Sequence, residues 1–297
     1  MFDCILAADI GGTKIAAARV SRSGKIFCRC EAPTPPEGGH AVVDVVARLL
    51  RQLPQQRARA VAVDVPGLAW PDGRVWAPNI RGWKCWPLGQ TLRTQFNLPV
   101  LVESDRNAFV VGESWRGAAR GCSDVVFLIV GTGIGAGVLS DSRLVRGHGE
   151  LAGAIGWLAV RDAFLPQYAL TGCLEAHAAG PAIAAAAGRR LHRKLTAREV
   201  TTLARRGDKV AREILRDAGR YLGLALANLV STLNPEMIVI GGGVAEAGDL
   251  LIGSARQEMK RWAQPVAARQ VRIVRGTLKA NAGLLGAAKL AWDHFRL

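Results

Sequence analysis

The segment DCILAADIGGTKIAAARV, residues 3–20, contains two apolar runs separated by a tight turn. The first run stops at Asp9 and the second begins at Ile15, a pattern that predicts a β-hairpin. A hairpin requires only a flexible pair of residues at its turn. Here the turn follows an acid and reads GGTK, residues 11–14, and these additional polar groups suggest a bound ligand.

An anion suits this turn, and phosphate is the natural candidate. Because Gly11 and Gly12 lack a Cβ, they can adopt positive φ and let backbone N–H groups approach an anion closely, and the Thr13 hydroxyl adds a donor. We place Lys14 in the same phosphate-binding set. Asp9 would repel bare phosphate, so we assign it to Mg²⁺, held through water and bridging to phosphate oxygens. For these residues alone, an ordinary Gly-Gly hairpin is an equally good interpretation.

The chain repeats this arrangement. Residues 124–139, DVVFLIVGTGIGAGVL, predict a strand, a glycine-rich turn and a second strand about 120 residues further along, a spacing typical of a small domain. Within this segment, Gly131, Thr132 and Gly133 form the turn. A third glycine cluster follows the predicted strand 237–240, after which the pattern becomes helical. Two similar units facing one ligand are therefore expected.

The second turn also fits a dinucleotide-binding fingerprint. Residues 131–136 read GTGIGA, follow a strand and precede Glu150 by roughly 20 residues. That fingerprint should open a helix, whereas the sequence here breaks at Ser140 and Asp141. A second strand therefore fits this segment better than a helix does. For this reason a nucleotide-dependent oxidoreductase, the function that the fingerprint would indicate, ranks last of the three functional hypotheses for this chain.

Strand and helix patterns alternate through the rest of the chain. Residues 59–67 and 98–105 read as strands, and residues 41–53, 107–120 and 211–233 read as amphipathic helices. Because the first two strands are joined by a hairpin, the pattern predicts an α/β protein with mixed sheets.

Composition limits the class of protein. The 297 residues, 49% of them hydrophobic, are enough for one large or two ordinary domains with a substantial core. The longest apolar stretch, 125–139, is too short to span a membrane. Asp3 stands where a signal peptide would carry positive charge, so we expect a cytoplasmic protein with no membrane partner.

Charge indicates an anionic ligand without indicating nucleic acid. The net charge is +15, but the basic residues are spread along the chain without an aromatic-interleaved strip. We therefore expect no nucleic-acid partner, and a basic background would attract anionic nucleotides. The six cysteines are scattered and are expected to be reduced thiols.

Seven motifs follow one another along the chain: DIGGTK (9–14), VPG (65–67), APNIRGW (77–83), ESDRNAFVVGE (103–113), VGTGIGAGV (130–138), GCLE (172–175) and IGGGV (240–244). Taken together, these motifs resemble those of the ROK family (repressors, open reading frames and sugar kinases), and the resemblance covers nearly the whole chain.

The resemblance implies the two-domain actin-like ATPase fold of hexokinases. It predicts a small N-terminal domain, residues 1–117, that makes sugar and phosphate contacts and is completed by a C-terminal helix, 282–297. It also predicts a large nucleotide-binding domain, residues 118–281. The two glycine turns would hold the phosphates of ATP, and a third cluster would lie near the adenosine. The residues of that cluster are Gly241, Gly242 and Gly243.

The resemblance also implies which residues bind the sugar and which residue removes its proton. A sugar hydroxyl, usually on C6, attacks the γ-phosphate while a carboxylate accepts its proton, and Asp105 is the matching residue. Helix capping is the alternative role for Asp105. Gly67, Asn79, Ser104 and Glu175 match sugar-contacting positions, although Asn79 could be a turn residue and Glu175 a solvated helix residue.

Departures from the family pattern bear on zinc and on the sugar. The usual Glu-x-Gly-His segment reads Ala154 to Trp157 here, and of the three cysteine ligands only Cys173 remains. One thiolate cannot form a tetrahedral Zn²⁺ site, so we predict no structural zinc, with Trp157 and Tyr168 packing into that space.

The residues expected to contact the sugar also differ from the family pattern. Ala154 and Ser104 replace a Glu and an Asn that in the family contact the sugar or the base, so the resemblance does not establish glucose as the substrate. His148 and Glu150 could supply replacement contacts.

The leading hypothesis is an ATP- and Mg²⁺-dependent kinase of a hexose or hexose derivative, expected to be a homodimer as family members often are. The alternative is a catalytically reduced sugar-sensing or sugar-binding protein of the same fold. A DNA-binding regulator is disfavoured, because the sequence starts directly on the first phosphate strand.

Overall fold

Two five-stranded mixed sheets organise the chain, one in each of two structural units. In the computed structural model, which describes residues 3–297, unit 1 contains the described residues up to Gly121 together with Leu144–Ala152 and Thr277–Leu297. Unit 2 contains Cys122–Arg143 and Gly153–Gly276.

The sheet of unit 1 has the strand order β3-β2-β1-β4-β7. The hairpin partners β1 and β2 are antiparallel, as are β2 and β3, whereas β1, β4 and β7 are parallel. The elements of this unit are β1 (Cys4–Ile10), β2 (Lys14–Ser21), β3 (Ile26–Pro33), α1 (Gly39–Gln52), β4 (Ala58–Val65), β5 (Leu68–Ala69), β6 (Val75–Trp76), α2 (Leu88–Phe96), β7 (Val100–Ser104) and α3 (Asp105–Arg116).

The second sheet has the strand order β10-β9-β8-β11-β12, with β8 and β9 antiparallel and β8, β11 and β12 parallel. The elements that follow α3 are β8 (Val125–Val130), β9 (Ile134–Ser140), β10 (Arg143–Leu144), α4 (Tyr168–Thr171), α5 (Glu175–Ala178), α6 (Gly180–Leu191), α7 (Ala197–Arg205), α8 (Lys209–Leu233), β11 (Met237–Gly241), α9 (Asp249–Trp262), α10 (Pro265–Gln270), β12 (Arg272–Arg275) and α11 (Ala282–His294). Short 3-10 helices lie at His148–Glu150, Ile155–Trp157, Gly243–Ala247 and Lys279–Asn281.

The two sheets share one topology, and the repeat read from the sequence is therefore confirmed. In each, a glycine turn joins an antiparallel hairpin, and the first hairpin strand continues into parallel strands on its other side. The turn at Gly131 opens β9 and not a helix, which rules out the dinucleotide-fingerprint interpretation.

The sheet of unit 1 is buried on both faces because apolar residues occupy every position of β1 except Asp9. Leu6 and Ala8 belong to the core on one face together with α1, whereas Ile5 and Ala7 belong to the core on the other face together with α11. The C-terminal helix α11 thus covers strands from the start of the chain. No helix of the described part of the chain is both long and apolar enough to cross a membrane.

Candidate functional site

Three acids of unit 1 line up across the carboxyl ends of parallel strands. Asp9 on β1 is the register partner of Asp64 on β4, and Asp64 is the register partner of Glu103 on β7. Partners in register on parallel strands present their side chains to the same face of a sheet. A fourth acid, Asp105, begins helix α3 directly after β7. The strand ends therefore gather four carboxyl groups, at the edge where α/β proteins bind ligands.

Asp64 and Glu103 are the two acids that the sequence reasoning did not select, and Asp64 is the more deeply isolated from donor groups. It is fully buried, and neither carboxylate oxygen accepts a hydrogen bond from a donor group among residues 3–297, which leaves the carboxyl of Asp9 as its hydrogen-bonding neighbour. Burial raises the pKa of Asp64 well above its usual range, and the negative charge of Asp9 adds to the effect. A proton held by Asp64 would be donated to Asp9. The pKa of Asp9 is also raised by burial, and the hydrogen bond from Asp64 opposes that rise.

Glu103, in contrast, is buried with both of its carboxylate oxygens accepting hydrogen bonds. Its Oε1 accepts from the Ser104 N–H at 2.8 Å and from Asn107 Nδ2 at 2.9 Å, and its Oε2 accepts from Arg146 Nη2 at 2.6 Å. Arg146 also pairs with Glu150 at 2.8 Å. Glu150 has φ of +65°, a strained conformation for a non-glycine residue. Arg146 thereby ties the segment 144–152 to the strand that precedes Asp105.

Asp105 combines a fixed oxygen with a free one. Its Oδ1 accepts from the Arg106 N–H at 2.7 Å, and no partner among residues 3–297 reaches Oδ2. The Ser104 hydroxyl lies 3.5 Å from Oδ1 and 2.8 Å from the Gly67 carbonyl oxygen, to which it donates. Burial raises the pKa of Asp105 to about 7, against the opposing charge of Arg106. A partly exposed carboxyl that titrates near neutral pH is suited to accept a proton.

Gly67 and Asn79 lie on loops of the same unit. A Cβ on Gly67 would lie 2.1 Å from the Trp76 carbonyl oxygen, so only glycine fits beside that strand. Asn79 is exposed, and its Cβ would be 3.9 Å from a Cβ placed on Gly12. Asn79 therefore lies beside the first glycine turn.

The first glycine turn leaves backbone donors unused. Its closure involves the Gly11 N–H, which donates to the Lys14 carbonyl oxygen at 2.8 Å, while the N–H groups of Gly12 and Thr13 have no partner in the described chain. The expectation of positive φ was wrong, because neither glycine of the turn adopts it. These glycines instead allow the backbone N–H groups of the turn to approach an anion closely, because no Cβ stands in the way. Lys14 forms an ion pair with Glu31 at 3.2 Å.

The second turn, in unit 2, repeats this feature. The Gly131 N–H donates to the Gly133 carbonyl oxygen at 3.0 Å, and the Gly131 carbonyl oxygen accepts from the Gly180 N–H at 2.8 Å. Within the part of the chain described, no acceptor reaches the N–H groups of Thr132 and Gly133. Both turns therefore present two consecutive N–H donors, an arrangement that binds anions.

Glu175 lies at this second turn. Its Oε2 accepts from the Ile134 N–H at 2.7 Å and would lie 2.8 Å from a Cβ placed on Gly133. Burial raises the pKa of Glu175, and the hydrogen bond from Ile134 opposes the rise. The side chain is thus bound to the backbone of the turn and is not a freely solvated helix residue.

The third glycine cluster borders a small polar cavity of unit 2. Gly242 has φ of +90° and would place a Cβ 2.4 Å from the Val130 carbonyl oxygen, so a side chain is excluded there. The cavity has a volume of about 190 Å³. Its walls come from two distant segments. Gly243 belongs to the cluster that the resemblance implied, whereas sequence reasoning gave no sign of the other wall residues: Arg198, Thr201, Thr202, Arg205 and Glu246.

The region where the resemblance would place zinc ligands contains an aromatic cluster. Tyr168 is buried with its hydroxyl 2.6 Å from His177 Nε2, and His177 stacks on Tyr221 with ring centroids 4.2 Å apart. The expected packing of Trp157 is wrong, because Trp157 is 55% exposed. Ile155 is the buried apolar residue of that 3-10 turn, which leaves Trp157 facing solvent.

Carboxylate oxygens are the ligands that Mg²⁺ prefers, and Asp9 at the end of β1 supplies them, while the neighbouring Asp64 holds Asp9 by a hydrogen bond. Among residues 3–297, no three His, Cys, Asp or Glu side chains form a metal-binding group. A Mg²⁺ ion that takes one or two carboxylates and completes its shell with water and phosphate oxygens fits such a site.

Comparison with known proteins identifies relatives along the whole chain. The profile of the ROK family matches residues 5–294. A glucokinase from Halalkalibacterium halodurans is 33% identical over 94% of this chain and 92% of its own. An N-acetylmannosamine kinase from Shigella flexneri is 38% identical over 97% of this chain and 98% of its own. A crystal structure of a ROK family glucokinase from Streptomyces griseus, in complex with glucose and AMPPNP, superposes with a TM-score of 0.83 at 31% identity, covering 97% of this chain and 98% of that one.

Proposed function

The chain belongs to the ROK family, and from this premise we propose that it phosphorylates the 6-hydroxyl of a hexose or hexose derivative, using ATP and Mg²⁺. Its fold is the actin-like ATPase fold of the ROK hexokinases, as the sequence resemblance implied. Both relatives compared above are sugar kinases and align over nearly their full length, and this chain is a sugar kinase as well.

The geometry around Asp105 is the observation that carries the assignment of the base. One carboxylate oxygen is held by the Arg106 N–H, the other is free, and the pKa of the group is about 7. A sugar hydroxyl hydrogen-bonded to the free oxygen would lose its proton as it attacks the γ-phosphorus. The carbonyl of Gly67 and the hydroxyl of Ser104, bonded to each other, adjoin that position. We assign sugar contacts to Gly67, Ser104 and Asn79 on this basis.

The unused N–H donors of the two glycine turns support phosphate binding. Thr13 and Gly12 in unit 1, and Thr132 and Gly133 in unit 2, each offer a pair of donors. We assign both turns to the phosphates of ATP and the cluster at Gly243, with its polar cavity, to the adenosine. When bound beside Asp9, Mg²⁺ would neutralise charge on the phosphate oxygens.

The choice of sugar is open between plain and substituted hexoses. Ala154 cannot donate or accept a hydrogen bond from its side chain, so the hydroxyls near C1 and C2 lose the contact that the family Glu would make. Loss of that contact relaxes discrimination at C2. We therefore propose that the enzyme accepts a substituent there, as an N-acetylated hexosamine carries.

A coupled assay of ADP release with ATP and Mg²⁺ tests the proposal. The panel of acceptors is glucose, fructose, mannose, allose, glucosamine and the N-acetylated hexosamines. We expect sugar-dependent turnover, with phosphorus NMR of the product showing a phosphate ester on C6. Sugar binding by calorimetry without turnover on any acceptor would contradict the kinase and favour a sugar-binding protein.

A further inference from the structure

A half-buried guanidinium lies next to the proposed base without a full set of partners. The Nε of Arg106 donates to the Ser104 hydroxyl oxygen at 3.2 Å, and its backbone N–H donates to Asp105 Oδ1. The terminal nitrogens Nη1 and Nη2 have no hydrogen-bond or ion-pair partner among residues 3–297. Most of the donor fork of this side chain is therefore unused.

Burial lowers the pKa of Arg106, and the charges of Asp105 and Glu103 oppose that effect, but neither carboxylate forms an ion pair with the guanidinium. Glu103 is already engaged by Arg146, Asn107 and the Ser104 N–H. No carboxylate oxygen lies within 4.0 Å of the guanidinium nitrogens of Arg106 among the residues described. Withdrawing a guanidinium from water without a paired anion is unfavourable. The arrangement is thus suited to an anion that arrives with the substrates.

We infer that Arg106 is a catalytic residue that binds the phosphoryl oxygens of the group in transfer. The inference rests on the proposed function. In that reaction the acceptor hydroxyl oxygen forms a bond to the γ-phosphorus, the bond from this phosphorus to the β–γ bridging oxygen breaks, the hydroxyl proton passes to Asp105, and ADP leaves. The three equatorial oxygens carry the negative charge in the transition state.

The chemistry of arginine suits this role. A guanidinium remains charged at any working pH and presents parallel N–H donors that match two oxygens of a phosphoryl group. Because Nε is held by Ser104, the fork is oriented before substrate binds. An anionic group belonging to the acceptor, such as a sugar carboxylate, has the same chemistry and is the competing source.

Four variants test the assignment on the best acceptor from the panel. Arg106→Ala removes the fork, Arg106→Lys keeps the charge without the fork, and Ser104→Ala removes the hydroxyl that holds Nε. Arg116→Ala is the matched control at the other end of α3, where the guanidinium lies over the Trp115 ring. Thermal unfolding establishes that each variant is folded.

We expect kcat of Arg106→Ala to fall about 10²- to 10³-fold while the Kd of the unphosphorylated sugar changes less than about threefold. Arg106→Lys should lie between it and the wild type, and Arg116→Ala should match the wild type. The phosphorylated product should bind Arg106→Ala about tenfold more weakly, measured by calorimetry, because the product retains the oxyanion.

Two results would overturn the inference while leaving the kinase intact. Unchanged kcat on neutral sugars, with KM raised only for gluconate, an anionic acceptor that retains its 6-hydroxyl, would assign the arginine to an anion of the acceptor. Equal losses in Arg106→Ala and Ser104→Ala, with unchanged product affinity in both, would make Arg106 a support for Ser104 only. Absence of wild-type turnover on every sugar would instead refute the proposed function, and this inference with it.

Discussion

Two aspartates of unit 1 have raised pKa values for the same physical reason but differ in what they can do. Burial raises the pKa of both Asp64 and Asp105. Asp105 is partly exposed and keeps one oxygen available, so it can exchange a proton with a substrate. Asp64 is sealed between strands and helix α11, where a Cβ on Gly283 would lie 2.8 Å from its Oδ2. A proton on Asp64 is therefore used in the hydrogen bond that Asp64 donates to Asp9.

The sealed position of Asp64 predicts a pH-dependent stability. Because its folded-state pKa exceeds the unfolded value of about 3.9, the folded chain holds a proton that the unfolded chain has released. The free energy of unfolding must then decrease as pH rises above about 4, until the raised pKa is passed. We predict that Asp64→Asn is more stable than wild type at pH 8 by about 1–3 kcal/mol.

Urea unfolding from pH 5 to 8.5 in the presence of EDTA measures this effect. Asp44→Asn, which removes an exposed carboxylate from α1, controls for the change in net charge. Parallel pH curves for the wild type and Asp64→Asn would show that Asp64 ionises in the folded protein as it does in the unfolded chain.

At the scale of elements, the sequence predicted hairpins and helices well because their signals are local. The glycine turns, the strand 237–240 and the helix 211–233 were placed within a residue or two. Helix α3 begins at Asp105, two residues before the predicted start, because the strand before it ends at Ser104 and the chain turns there at once. Contacts between distant segments, such as Arg146 with Glu103, carry no local signal and were missed.

The Arg146–Glu103 pair predicts a measurable coupling between these segments. The side chain of Glu103 is 2% exposed, so removing its cation leaves a buried charge. We predict that Arg146→Met destabilises the protein by about 2–4 kcal/mol. Adding Glu103→Gln should recover part of that loss, since the uncompensated charge is then absent. Additive effects in a double-mutant cycle of unfolding free energies would refute the coupling.

The packing of α11 on α3 depends on glycine at the crossing. A Cβ on Gly286 would lie 1.7 Å from the Ala108 carbonyl oxygen, so Gly286→Ala must separate the helices. We predict a loss of at least about 2 kcal/mol. Gly188→Ala is the control on α6, where a Cβ meets nothing within 4 Å, and should stabilise by about 0.5–1 kcal/mol. Thermal melts of both variants that shift in the same direction would contradict this account of the crossing.

At the scale of the whole molecule, the duplicated topology was predictable because both copies carry the same turn signature. Unit 1 draws on three separate stretches of chain, of which the resemblance implied the first and the last but not Leu144–Ala152. The segment 144–152 lacks the apolar periodicity that would have assigned it. The aromatic cluster around His177 was likewise invisible, because Tyr168 and Tyr221 are distant in sequence and were not linked by any motif.

The inclusion of α11 in unit 1 predicts that the C-terminus is required for folding. This helix buries Leu284, Leu285 and Trp292 on the core shared with β1. Burial of each large apolar side chain contributes about 1.5–3 kcal/mol, and typical domains are stable by only about 5–15 kcal/mol. A chain ending at Gly276 should therefore lose cooperative unfolding by circular dichroism. A sharp transition within about 5 °C of the full chain would refute this requirement.

The central claim is that Asp105 takes the proton of a sugar hydroxyl, and the pH dependence of kcat/KM for wild type and Asp105→Asn tests it most directly. Because only the ionised carboxylate accepts a proton, wild-type kcat/KM should decline below pH 7 with a single apparent pKa of about 7. Asp105→Asn should be about 10²- to 10⁴-fold slower, show no decline around pH 7 and bind the sugar with similar affinity. An Asp105→Asn enzyme that retains the wild-type rate, or an unaltered pH profile, would contradict the account.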